Sequence, residues 1–232
     1  MKSLAISLLD YGFVSYNRTR KIICGLTNGE IDPSEGYLTK LQKNASNKLD
    51  DFVFDVKEEL LKSKLNYWDD TTIKIDEKDR ACMRVYTNSQ VVLYKAHMKK
   101  DAKGMDEDGI LQNLPNDCIV MHDHLLHNYC DEYKYQNIEC NAHITRWITD
   151  FTLPYSNNLC ETLLRMLKTK MKVSYMFQNI KHAKYFANIN SYVETCSKFG
   201  INKHNALNKL FQDNPYTLNE LKEMQKNKDN QN

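Results

Sequence analysis

Three acids set far apart in the chain, Asp69, Asp123 and Glu161, are the residues whose types and placement could do chemistry. Displacement at a phosphodiester needs its developing charge compensated. Two divalent cations about 4 Å apart do this, and carboxylates hold them because hard cations prefer oxygen. Such ligands must be gathered from separate elements. Each acid also has an ordinary reading: Asp69 as a strand-start acid, Asp123 as the cap of a helix beginning at His124, and Glu161 as a first-turn glutamate favoured by the helix dipole. Their placement on matching elements of one fold is what joins them.

Two further groups compete for attention. Glu161, Arg165, Lys168 and Lys172 follow at spacings of four, three and four, which puts them on one helical face. A row of cations of this kind can lie along a nucleic-acid backbone, or be a solvated basic face with one Glu–Arg pair. His122, Asp123, His124 and His127 have the residue types of a zinc site. Alternation along a strand turns His122 and His124 away from Asp123, however, and no second ligand cluster completes the set. Cys140 and His143 form a Cys-x-x-His pair, too short for a zinc finger and better suited to strand packing.

The elements that must position these groups are legible in the periodicity. The first 65 residues read as helical. Leu4, Leu8 and Leu9 have helical spacing, Asp32-Pro33 is a cap-and-first-turn signal, and Leu49 to Leu65 is an amphipathic helix. Asn28-Gly29 after the basic segment Asn17 to Gly25 gives a helix–turn–helix outline, more often a plain hairpin than a DNA reader. From Tyr67 the period changes. Asp70 to Ile75, Ala81 to Thr87 and Gln90 to His97 are strands, the last two joined at Asn88-Ser89. A helical segment runs to Leu114, and Asp117 to Asp123 is a buried strand. A helix to about Tyr133 and a strand from Asn137 to Ile144 follow. Ser156, Asn157 and Asn158 can cap a helix to about Lys172, and a last helix from Lys181 to Phe199 is closed by Gly200.

Three strands, then helix, strand, helix, strand and helix require crossovers and a partly parallel sheet. This is the order of a mixed α/β, ribonuclease-H-like core in which the first and fourth strands are neighbours. The predicted organisation is a helical N-terminal segment over 1–65, the catalytic core over 66–200, and a C-terminal helical segment with a polar tail over 201–232. The tail from Lys222 to Asn232 is almost without apolar residues and is expected to fray.

Composition narrows the function classes. A 41% apolar fraction supports a sizeable core, and no stretch approaches the roughly 18 apolar residues of a membrane span. Seven cysteines, an odd number without a CxxC pair, read as reduced thiols in the cytoplasm. A net charge of +2 excludes bulk polycation binding, so nucleic acid must be held by local patches.

Several ordered blocks resemble the DDE transposases of the insertion sequence 66 family. Tyr67-Trp68-Asp69-Asp70-Thr71 is similar to the segment around that family's first catalytic acid, and Met121-His122-Asp123-His124 with Tyr129 to the block at its second. Glu139-Cys140-Asn141-Ala142-His143 with Arg146 is similar to the Cys-x-Ala-His-x-x-Arg block. Asn157-Asn158-Leu159-Cys160-Glu161 is similar to the motif bearing the third acid, and similarity continues through Lys170 to Ser174 and Ala187 to Thr195. The resemblance implies DNA strand cleavage and strand transfer, with Asp69, Asp123 and Glu161 as ligands of two Mg²⁺ or Mn²⁺ ions. It implies DNA partners (element ends and target) and a homo-oligomer if active. Departures are also visible: 38 positions separate Asp123 from Glu161 where the family carries a long helical insertion, Thr162 replaces an Arg, and Tyr175 replaces a Gly. A shortened relative, active or reduced to a DNA-binding remnant or regulator, is the expectation.

Overall fold

The computed structural model describes residues 1–75, 79–122, 133–139, 158–174 and 176–229. Four helices precede the sheet: α1 (Lys2–Ile6), α2 (Tyr16–Leu26), α3 (Glu35–Asn47) and α4 (Asp50–Leu61), with a π-turn over Ser7–Tyr11 between the first two. Their caps are chemical. Ser15 Oγ accepts the Arg18 N–H, and Ser34 Oγ accepts the Tyr37 N–H at 3.1 Å. The α3 cap is therefore Ser34 and not Asp32. Asp32 is taken instead by Arg20, whose Nε and Nη2 donate to its two oxygens at 2.6 and 2.5 Å.

The sheet holds β1 (Leu65–Ile75), β2 (Asp79–Thr87), β3 (Val92–His97), β4 (Ile119–His122) and β5 (Gln136–Glu139) in the order β3-β2-β1-β4-β5. The first three strands are antiparallel, while β4 runs parallel to β1 and β5 parallel to β4. That order and those directions are the ribonuclease-H-like arrangement, with the first and fourth strands adjacent as the element order requires. The β2–β3 turn is held by Asn88, whose Oδ1 accepts the N–H groups of Gln90 and Val91 at 2.8 and 2.9 Å. β1 starts at Leu65, so Asp69 stands inside the strand and not at its beginning. The helix expected to about Tyr133 and the latter part of the strand expected to Ile144 lie outside the described residues.

The two faces of the sheet are covered separately. Tyr67, Ile73, Val85, Met83, Tyr94 and Met121 pack against α6 (Asn158–Ser174) and the first half of α7 (Ile180–Lys198). Trp68, Tyr86, Leu93 and Val120 belong to the opposite core, shared with α4, α5 (Ala102–Asp108), the second half of α7, α8 (Lys203–Phe211) and α9 (Leu218–Asp229). The N-terminal helices and those after α7 thus pack into one core. The polar tail is helical to Asp229, because Leu218 and Leu221 are buried and Lys222 pairs with Glu59 at 2.5 Å.

The outer margin of β3 is sealed by α7. Thr195 Oγ1 accepts the Val92 N–H at 3.0 Å and donates to the Val92 carbonyl, and Ser191 Oγ accepts the Tyr94 N–H at 2.8 Å. Four helical residues rise about 6.0 Å and two strand residues about 6.8 Å, so hydroxyls four apart can match backbone groups two apart. α7 ends as sequence predicts: Gly200 has φ +78°, its N–H bonds Ser197 O, and the Ile201 N–H bonds Cys196 O.

Candidate active site on the α6 face of the sheet

Asp69 lies opposite Val85 in the β1–β2 register. Its Oδ1 accepts the backbone N–H of Asp70 at 2.7 Å, which turns the carboxylate along the strand. α6 crosses this point. Its apolar positions Cys160, Leu164 and Leu167 recur every three or four residues and are buried against the sheet. The Cys160 thiol reaches the Val85 carbonyl at 3.9 Å, so the residue before Glu161 touches the strand position opposite Asp69. Burial pushes the Cys160 thiol well above its usual pKa; the Asp69 carboxylate pushes it further, Lys198 opposes, and Glu161 adds the smallest push upward. Glu161 occupies the first turn of α6, where the helix dipole favours an anion.

Of the adjacent acids on β1, only Asp69 belongs to this face. Asp70 sits on the other side, paired with Lys100 and with Arg84 Nε at 3.9 Å. Arg84 is fully buried, donates from Nη2 to the Asp101 carbonyl at 3.0 Å, and lies 3.4 Å from Asp108 through Nη1. Burial works against the guanidinium charge, but Tyr86, Cys82, Asp108 and Asp70 more than offset it and raise its pKa. Asp108 also accepts from the Tyr86 hydroxyl at 2.8 Å and meets His97 Nε2 at 2.5 Å. The local sign of this network in the sequence is Arg84 itself, a charge at an inward position of the apolar run Ala81 to Tyr86.

β4 carries the chain alongside β1, with Tyr67 opposite Met121, and its last residue is His122. The His122 ring stands 6.2 Å from that of Trp68, and its Nε2 lies 2.7 Å from Asn137 Oδ1. Asp123, the next residue, lies outside the described residues, as do His124, His127, Cys140 and His143. Among the described residues no group of three His, Cys, Asp or Glu side chains is placed to hold a metal. Asp69 and Glu161 are oxygen donors, a chemistry that suits Mg²⁺ or Mn²⁺ better than zinc.

Along α6, Arg165, Lys168 and Lys172 are exposed on one side. Lys170 is the exception. It is buried, donates to the Leu9 carbonyl at 3.3 Å, and lies over the rings of Phe13, Phe177 and Phe186 at 5.7, 5.1 and 5.0 Å. This cation ties the helix bearing Glu161 to the π-turn before α2.

The profile of the transposase IS66 family matches residues 12–152, more than half of the sequence. The chain belongs to the IS66 transposase family. The matched stretch contains Asp69 and Asp123 and stops before Glu161. No curated protein matches the sequence. Among solved structures, the Mos1 transposase catalytic domain with Raltegravir and Mg is 10% identical, with a TM-score of 0.32, covering 75% of this chain and 96% of that one. The pre-cleavage Mos1 transpososome is 8% identical, with a TM-score of 0.34, covering 98% and 78%. The Mos1 strand transfer complex is 13% identical, with a TM-score of 0.30, covering 93% and 78%. Likenesses this slight add nothing to the fold, which rests on the sheet order. No helix among the described residues is long and apolar enough to cross a membrane.

Proposed function

We propose that this IS66-family chain cleaves and joins DNA at a site formed by Asp69, Asp123 and Glu161. The observation that supports the reading is the contact of the Cys160 thiol with the Val85 carbonyl, which sets the first turn of α6 beside the strand position opposite Asp69. Asp123 follows directly on His122, the end of the strand paired with β1. Asp69, Asp123 and Glu161 would hold two Mg²⁺ or Mn²⁺ ions, which supply activation of the attacking oxygen and stabilisation of the leaving oxygen. The protein's own contribution is placement. The β1 backbone fixes the Asp69 carboxylate through the Asp70 N–H, Cys160 and Leu164 keep the floor between strand and helix dry, and Glu161 sits in the first turn of α6. Arg165, Lys168 and Lys172 supply a row of cations along one side of α6 for the DNA backbone.

Purified protein with DNA and Mn²⁺ or Mg²⁺ tests the reading. Nicking or joining should occur and should be lost in Asp123→Asn, Asp69→Asn and Glu161→Gln while the folded spectrum is kept. Cleavage that survives Asp123→Asn would refute the three-acid assignment. DNA binding without metal-dependent cleavage would select the second reading, a regulator or remnant of a transposase.

A further inference from the structure

Two outward positions of the β3 margin are sealed by α7, and the next is not. Thr195 serves Val92 and Ser191 serves Tyr94. Ala96 follows two residues on in the same unbroken register, so its N–H and C=O also point outward. The α7 position that comes next at a spacing of four is Ala187, which has no hydroxyl to offer. Ala96 and Ala187 instead border a cleft of about 300 Å³. One open position is too short for a strand to pair with, but it leaves a backbone donor facing the cleft.

The charges around this cleft do not balance. Lys95 and Lys184 line it together with His97, Glu107 and Asp108. Both acids already have partners. Asp108 is held by buried Arg84 at 3.4 Å, by the Tyr86 hydroxyl at 2.8 Å and by His97 at 2.5 Å, and Glu107 lies 3.6 Å from His97 Nδ1. Neither lysine has an ion pair or a side-chain hydrogen bond among the described residues. Lys57 of α4 adds a third cation: its ammonium fills the place that a Cβ on Gly109, next to Asp108, would take. Burial lowers the pKa of Lys95. Asp108 opposes this, Lys57 and Lys184 lower it further, and Asp50 opposes least. Lys95 thus stands between two like charges, an arrangement that an anion in the cleft would relieve.

The cations continue beyond the cleft. Lys99 and Lys103, both exposed, border an adjoining cleft that shares His97 and Glu107. The other acid there, Asp101, caps α5 by accepting the Gly104 N–H at 2.9 Å. A track of lysines suits a chain of phosphates better than one small ion.

We infer that this margin of β3 binds the phosphate backbone of DNA, with Lys95, Lys184 and the Ala96 N–H holding one phosphate and Lys99 and Lys103 meeting its neighbours. β3 lies two strands from β1, about 10 Å across the sheet, so this contact is separate from the one ascribed to Arg165, Lys168 and Lys172. The inference rests on DNA being the substrate, as the proposed function has it.

The test reads duplex binding by the full chain against salt, because each phosphate contact contributes a slope of about −0.9 in log K against log salt. Lys95→Gln and Lys184→Gln should each flatten that slope by about 1. Lys226→Gln removes the same charge from an exposed position on α9 and should leave the slope unchanged. In amide spectra, duplex DNA should shift Ala96 and leave Val92 and Tyr94, whose N–H groups are taken, in place. Duplex binding with the parent slope in both lysine variants would overturn the inference. So would an Ala96 amide that responds to inorganic phosphate but not to duplex, the mark of a site for a free anion. If Lys95 only guards a strand edge, Lys95→Gln would aggregate more readily at an unchanged slope, and that result too would overturn the inference. A parent chain that binds no duplex at all would refute the proposed function and this inference with it.

Discussion

The Cys160 thiol lies 3.9 Å from the carbonyl oxygen of Val85, the residue opposite Asp69. With buried Leu164 and Leu167, this contact seats α6 on the sheet, and Glu161 follows it in the first turn. The thiol is buried and held protonated, so its role is its size.

Cys160→Leu should accordingly overpack the interface by about 1–3 kcal/mol and lift the start of α6 from the strand. Metal-dependent cleavage should fall sharply, while Cys160→Ala, which removes the thiol without adding bulk, should keep it within a few-fold. A Leu variant as active as the parent, or an inactive Ala variant, would contradict this role in an assay of DNA nicking with Mn²⁺.

Asp10 gives a pH signature. It is buried, and burial raises its pKa from 3.8 to about 6 against the opposing influence of Lys170 and Gln42. A folded pKa above the unfolded one means stability that is complete below pH 3.8 and is lost as pH rises through about 6. At about 1.4 kcal/mol per unit this is on the order of 3 kcal/mol. Denaturant unfolding at several pH values should show the advantage of the parent over Asp10→Asn shrinking from pH 4 to pH 7. A constant or growing advantage would show that Asp10 does not titrate as described.

Two glycines should respond in opposite directions to alanine. A Cβ on Gly104 would press on the Arg84 guanidinium at 3.0 and 3.3 Å, and Gly104→Ala should cost about 1–3 kcal/mol. Gly25 lies in α2 with nothing within 4 Å of an added Cβ, so Gly25→Ala should stabilise by about 0.5–1 kcal/mol. Thermal melts of the two variants check both signs.

Thr195→Val keeps shape and removes the hydroxyl that serves both backbone groups of buried Val92. Leaving those groups unpaired should cost about 1–3 kcal/mol. For a chain of this size that is a fall of about 2–4 °C in melting temperature per kcal/mol. A Val variant that melts with the parent would mean that water replaces the hydroxyl.

The sheet was readable from sequence because strand alternation, the Asn88 turn and the short apolar run before His122 are local signals. Gly200 was readable for the same reason, since a left-handed position after a periodic helix favours glycine. The choice of Ser34 over Asp32 as a cap was not, because Arg20, twelve positions earlier, claims Asp32. That α6 returns to the sheet near β1 could be read from fold order, but the contact that seats it there, Cys160 on Val85, joins residues 75 positions apart. The burial of Arg84 and Lys170 is not legible in the sequence, because charged residues ordinarily lie at the surface and only tertiary packing shows what compensates them.

The two hydroxyls of α7 that occupy the β3 margin also bear on how this molecule behaves in a crowd. A bare strand margin is a template on which a second copy can lay its own strand, the first step toward swapped or fibrous aggregates. Ser191 and Thr195 occupy the hydrogen-bonding groups such a visitor would need. Concentration-dependent aggregation starting from this margin would therefore require α7 to come away first, which ties the protein's solubility to the docking of one helix.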